Sequence, residues 1–185
     1  MIVAVLAGGR GRRLGGAKAT AELAAAPLIA RPLAAAREAG LEAVVVAKRA
    51  TVLPQLDAPV WIEPDTPFHP LCGLIAALER GPVVAVACDQ PWVTGALLAA
   101  LATAGPTAGW VEGRYQPFPA HYVPSQLPVL REALAEEASL RTTLARLAPA
   151  KFDLAAFGDP AQLIASVNTP EQLAAAAREL GEPRP

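Results

Sequence analysis

The chain has 185 residues, 53% of them apolar, with a formal net charge of -1, which fits one compact domain with a sizeable core rather than two. Its mean hydropathy of +0.32 is mostly an alanine surplus, and Gly, Pro or charge interrupts each apolar stretch well short of the roughly 20 residues that a membrane helix needs. Near-zero net charge lacks the basic footprint of a nucleic-acid binder, and two distant cysteines, Cys72 and Cys88, with no Cys/His cluster argue against a zinc site or a disulfide. The first element, Ile2 to Leu6, has the length and β-branched character of a buried strand and runs straight into a glycine loop. That start lacks the charged region and cleavage site of a signal peptide, so a cytoplasmic protein with no membrane or nucleic-acid partner is expected.

Further strand-like runs follow at Ala43 to Ala47, Val60 to Ile62 and Val83 to Ala87. Helix-like stretches lie among and after them: Leu28 to Ala39 before Gly40, Gly73 to Arg80 before Gly81, and Thr94 to Ala104 before Gly105, each with glycine at the stop. This alternation predicts an α/β protein with a doubly wound, mostly parallel sheet between two layers of helices. After Gly105 the pattern changes: Ala108 to Glu112, a Gly113-Arg114 turn and Tyr115 to Tyr122 predict a small antiparallel hairpin or edge. Helices are expected in the C-terminal third. There Thr169-Pro170-Glu171-Gln172 carries a capping threonine, a first-turn proline and a capping-box glutamine ahead of a helix to Leu180. Residues 1 to 180 are read as one domain, and 181 to 185 as a disordered tail.

The loop after the first strand carries Gly8, Gly9, Gly11, Gly15 and Gly16, with Arg10, Arg12 and Arg13 inside it and Lys18 at its end. Glycines let backbone N–H groups approach phosphate oxygens, and the Arg and Lys side chains add charge-assisted hydrogen bonds. The strand before it puts this loop where open α/β sheets bind ligands. Two better-known loops do not fit. A dinucleotide fingerprint needs glycine at Leu14 or Arg13, and a phosphate loop of the Walker type needs Gly-Lys-Ser/Thr where Gly16 is followed by Ala17-Lys18.

The run from Val83 to Ala87 leads through Cys88 to Asp89, Gln90 and Pro91. An acid at a strand's carboxyl end can hold Mg2+ against substrate phosphates, since this ion keeps several waters and takes few protein ligands. Asp89 could equally cap a turn. The two histidines, His69 and His121, form no triad with a serine nucleophile, so acyl transfer has no support.

Taken together, Leu6-Ala7-Gly8-Gly9 with Arg13-Leu14-Gly15 and Lys18, His69 to Gly73, Cys88 to Pro91, Gln116-Pro117 and Val167 to Glu171 resemble the MobA-like nucleotidyltransferase family. The resemblance implies a Rossmann-like nucleotidyltransferase fold and an Mg2+-dependent enzyme. Its reaction would be transfer of GMP from GTP to a molybdopterin-type cofactor, with release of pyrophosphate. It also allows transient contacts with other proteins of molybdenum cofactor biosynthesis. By position it makes Leu6, Ala7, Gly8 and Gly9 the nucleotide cradle, Arg13 and Lys18 the triphosphate clamps, and Asp89 the ligand of both metal and nucleotide. Asp65, with Glu63 as the alternative, would be a further nucleotide contact. Gly73 would line the site, and Asn168 would lie near the acceptor phosphate or order the turn before the last helix.

The chain departs from the family at three places. Ala17 stands where an aspartate usually precedes the clamp lysine, an asparagine expected after the second strand is replaced around Ala47, and His69-Pro70-Leu71-Cys72-Gly73 replaces Gly-Pro-Leu-Ala-Gly. Two alternatives therefore stay open: transfer of another nucleotide such as CMP, or to another acceptor, and a nucleotide-binding relative without catalysis.

Overall fold

The computed structural model describes residues 1–9, 14 and 18–181. The strands are β1 Ile2–Leu6, β2 Glu22–Leu23, β3 Ala26–Pro27, β4 Glu42–Ala47, β5 Val60–Ile62, β6 Val83–Ala87, β7 Thr107–Val111, β8 Arg114–Tyr122 and β9 Ala150–Phe152. The helices are α1 Ala30–Glu38, α2 Pro70–Leu78, α3 Gly95–Thr103, α4 Leu127–Ala135, α5 Leu140–Leu147, α6 Pro160–Leu163 and α7 Pro170–Gly181. A seven-stranded sheet runs in the order β5-β4-β1-β6-β8-β7-β9, and β2 and β3 form a separate two-stranded ribbon. Within the large sheet only β8 runs antiparallel to its neighbours.

The central strands are apolar on both faces because helices cover both. Val3, Val5, Val45, Val84 and Val86 pack with the faces of α1 and α3, while Ala4, Val44, Val46 and Ala85 pack with those of α2, α4 and α5. Alternation along β1, β4 and β6 thus feeds two cores from one sheet, the arrangement that a continuous apolar run signals. A third, smaller core joins Leu23 and Leu28 to Val167 and Ala176, with Trp92 packed against it. It ties the small ribbon and α7 to the turn after β6.

Register decides where the site forms. Leu6 at the end of β1 is opposite Val46 of β4 and Ala87 of β6, so these parallel strands end together. The ladder continues past them: the amide of Ala7 donates to Val46 O (2.8 Å), Cys88 N to Leu6 O (3.1 Å) and Glu63 N to Ala47 O (3.0 Å). Gly8, Lys48, Glu63 and Asp89 are thereby gathered at one edge of the sheet.

The structure differs from the sequence reading in three places. The hairpin of β7 and β8 is not appended at an edge: β8 pairs with β6 over Val83 to Ala85 and lies inside the large sheet. The C-terminal third contains β9, which pairs in parallel with β7; three residues with no apolar run give no strand signal. The ribbon of β2 and β3 was also not expected, and Ala24 and Ala25 form its turn with positive φ of 50° and 63°, a conformation for which alanine is no signal. At the C-terminus, Gly181 closes α7, and 182–185 lie outside the described residues. The glycine stops stand, with Gly40 (φ 67°) and Gly105 (φ 73°) left-handed just beyond α1 and α3.

Candidate active site

A cavity of about 920 Å3 opens at the carboxyl edge of β1, β4 and β6. Its inner wall is Leu6, Ala7, Gly8 and Gly9 of the turn after β1, with Lys18, Cys88 and Asp89 beside it. Glu63, His69, Gly73, Pro117, Phe118, Leu134, Glu137, Leu140 and Ser166 complete the lining.

Lys18 is the centre of the charged cluster. Its Nζ contacts Asp89 Oδ2 in an ion pair and donates to Asn168 Oδ1 at 2.6 Å. Residues from a turn, a strand end and the loop before α7, 150 positions apart at the extremes, therefore converge on one ammonium. Each is held from behind. Asp89 accepts at its backbone oxygen from Val167 N (2.9 Å). Asn168 is fixed by Gln172, whose Oε1 accepts from Asn168 N at 2.7 Å, while Thr169 Oγ1 caps the amide of Gln172 at 3.3 Å. The capping threonine is as expected, but the glutamine reaches one residue further back than a capping box would, and so orders the residue that meets Lys18.

A second buried ion pair borders the cavity. Lys48, directly after β4, and Glu63, directly after β5, meet at 3.4 Å with only 5% and 4% of their side chains exposed. Lys48 Nζ also donates to the carbonyls of Pro64 and Pro67 and lies 4.9 Å from the centre of the Phe68 ring. Burial pushes the Glu63 carboxyl above its ordinary range, and the charge and hydrogen bond of Lys48 pull only part of the way back. His69 opens α2, its Nδ1 accepting from Leu71 N at 3.2 Å.

Leu6, Ala7, Gly8, Gly9, Lys18, Gly73 and Asp89 thus share one cavity, and Asn168 joins it through Lys18. Asp65 is exposed and lies outside the lining; the acid after β5 that lines the cavity is Glu63. Arg13 lies outside the described residues, as do Arg10, Gly11, Arg12, Gly15, Gly16 and Ala17. Lys48 was missed by motif reasoning. Its signal was a lysine set against the end of an apolar strand, where charge is rarely placed without a partner.

The donor set suits a hard divalent cation that takes most of its ligands from phosphate and water. Asp89 supplies one buried carboxylate facing the cavity, and among the described residues no group of three or more His, Cys, Asp or Glu could build an all-protein cage.

A glycine turn, a lysine and an aspartate at the carboxyl edge of a doubly wound sheet define a nucleotidyltransferase, an enzyme that transfers a nucleotide and whose family uses a divalent metal. The chain belongs to the MobA-like NTP transferase domain family, which it matches over residues 3–151. It is 35% identical to a molybdenum cofactor guanylyltransferase of Pseudomonas putida over 184 residues, covering 92% of this chain and 94% of that one. It is 31% identical to the enzyme of the same name from Rhodobacter capsulatus, covering 98% and 97%. In fold it is similar to the molybdopterin-guanine dinucleotide biosynthesis protein A of Archaeoglobus fulgidus, with a TM-score of 0.79 at 24% identity over 97% of this chain and 98% of that one. It is also similar to 2-C-methyl-D-erythritol 4-phosphate cytidylyltransferase of Thermus thermophilus, with a TM-score of 0.67 at 15% identity over 97% and 98%.

Proposed function

We propose that this enzyme is a molybdenum cofactor guanylyltransferase, moving GMP from GTP to the terminal phosphate of molybdopterin cofactor. The acceptor oxygen attacks the α-phosphorus and forms a new P–O–P bond, the bond between the α- and β-phosphates breaks, and pyrophosphate leaves. The observation that carries this reading is the convergence of Lys18, Asp89 and Asn168 on a cavity that also exposes the Gly8-Gly9 backbone. The names of the relatives support the choice of nucleotide and acceptor.

Before substrate arrives, Lys18 and Asp89 neutralise one another. On binding, Lys18 turns to the phosphates, and Asp89 is left free to hold the metal together with them. Arg13 is assigned to the triphosphate beside Lys18, and the Leu6-to-Gly9 backbone to the nucleotide. Mg2+, when bound, offsets the charge that builds on the phosphate oxygens. Catalysis of this kind is positioning and electrostatics, and no general base is needed because an acceptor phosphate is already largely ionised at neutral pH. Among the described residues no helix is long and apolar enough to cross a membrane, which is compatible with work in the cytoplasm.

The test is pyrophosphate release with GTP, CTP, ATP or UTP, Mg2+ and molybdopterin, beside thermal stabilisation by each triphosphate. Release with GTP supports the proposal. Release only with CTP makes the enzyme a cytidylyl transferase, and stabilisation without release for any acceptor makes it a binding protein.

A further inference from the structure

Gln90 follows Asp89 within the Cys88 to Pro91 motif and is 3% exposed, although the charged cluster does not use it. Its amide is fully committed: Oε1 accepts from Ala87 N at 3.2 Å, and Nε2 donates to Phe118 O at 2.9 Å and to Ile164 O at 3.3 Å. Both donor hydrogens thus have carbonyl partners, and the acceptor has an N–H. The opposite orientation of the amide would set oxygen against two carbonyls, so the network admits one arrangement.

These three partners belong to separate segments, and each segment forms a different part of the cavity. Ala87 ends the strand that presents Asp89. Phe118, on β8, forms part of the cavity wall. Ile164 begins the loop that carries Ser166 to the cavity and Asn168 to Lys18. One side chain therefore fixes the separation between the carboxylate, that wall and the lysine's second partner.

We propose that Gln90 is a positioning residue for nucleotidyl transfer, holding Asp89 in register with the Phe118 wall and the loop that carries Asn168. This inference rests on the transfer reading above. Reacting atoms must meet within a few tenths of an ångström of their proper separation, and a displacement of about 1 Å costs on the order of 100-fold in rate. Loss of the Gln90 bridge therefore lowers kcat by displacing Asp89 and the loop that carries Asn168.

Gln90→Glu tests this, because it keeps shape and removes both N–H donors, turning a carboxylate oxygen towards two carbonyls. The expected result is a fall in kcat on the order of 100-fold in enzyme that remains folded at the assay temperature, with deuterium uptake raised together in peptides containing Phe118 and Ile164 to Asn168. Gln90→Asn keeps both donors on a shorter stem, and is the comparison should Gln90→Glu not fold.

A kcat within about threefold of the unmodified enzyme, where one lost hydrogen bond is worth more than that, overturns the assignment. So does a loss shared equally by kcat, GTP binding and melting temperature, which would make Gln90 a prop of the fold alone. If the unmodified enzyme releases no pyrophosphate, the transfer reading fails. The exchange measurement then still decides whether Gln90 couples the two segments, and separate or unchanged uptake overturns it.

Discussion

The carboxylate of Glu63 lies directly against the backbone of Gly8: a Cβ at Gly8 would stand 1.7 Å from Glu63 Oε1, and one at Gly73 would stand 2.7 Å from Glu63 Oε2. Two glycines separated by the whole of β4 and β5 therefore accommodate one buried acid. Their role as nucleotide contacts is superimposed on this packing requirement. Nothing lies within 4 Å of a Cβ at Gly9, so the adjacent glycine carries no such constraint.

Gly8→Ala is accordingly expected to displace Glu63, strain the Lys48 pair and destabilise the protein by about 1–3 kcal/mol, the usual range for overpacking. Gly9→Ala should leave stability within about 0.5 kcal/mol. Urea unfolding of both variants checks this. Equal stabilities would mean that Glu63 gives way freely, and a loss of nucleotide affinity in Gly9→Ala at unchanged stability would report a direct contact.

The Lys48–Glu63 pair makes a prediction about pH. Burial raises the Glu63 carboxyl above its ordinary value of 4.5, so in the window between that value and the raised one the folded state binds more proton than the unfolded state. Stability contributed by this group is therefore greatest below 4.5 and declines as pH rises through the raised value. In Lys48→Met the carboxyl loses the charge that opposes its rise. The decline should then extend to higher pH, with a loss of about 3–5 kcal/mol at neutral pH from the unpaired buried charge. Glu63→Gln should flatten that stretch of the curve. A Lys48→Met curve parallel to that of the unmodified protein would rule out the coupling.

Much of this was legible in the sequence, for identifiable reasons. The strands at β1, β4 and β6 announced themselves because they are buried on both faces and cannot carry polar residues. Asp89 and Lys18 announced themselves because a charge at the end of such a run, or at the end of a glycine loop, has few structural excuses. Lys48 did not, and Glu63 stood only as the alternative to Asp65, since their pairing depends on the register of β4 with β5, which no local pattern encodes. Gln90 was hidden for the same reason: its partners lie 28 and 74 residues away. Asp65 was the nearer acid to the family pattern, yet the backbone after β5 turns Glu63 inward and leaves Asp65 in solvent.

The cysteines should be inert in the folded protein. Burial pushes the Cys88 thiol up to about 12, with the neighbouring Asp89 adding to the rise. Burial also raises Cys72, whose Sγ donates to Pro67 O at 3.3 Å. The thiolate is the reactive form, so iodoacetamide at neutral pH should modify neither until denaturant is added, as mass spectrometry would show. Rapid labelling of Cys88 in the native protein would mean that the edge of the cavity opens.

The charged cluster predicts a graded series of variants. Asp89→Asn keeps size and polarity but removes the negative charge assigned to the metal, so transfer should fall about 100-fold or more with little loss of fold. Lys18→Ala removes the cation that both Asp89 and Asn168 address and should cost a similar factor, together with affinity for the triphosphate. Asn168→Ala deletes only a partner of Lys18, and its cost should be smaller, about 10-fold, as is usual for groups that orient a working side chain. Pyrophosphate release under saturating GTP, measured beside melting temperature, gives the order. Near-full activity in Asp89→Asn or Lys18→Ala would remove that residue from the mechanism. An Asn168→Ala defect as deep as that of Lys18→Ala would instead make the asparagine a direct contact of the acceptor, because losing one hydrogen bond to a lysine that keeps Asp89 cannot account for so large a loss.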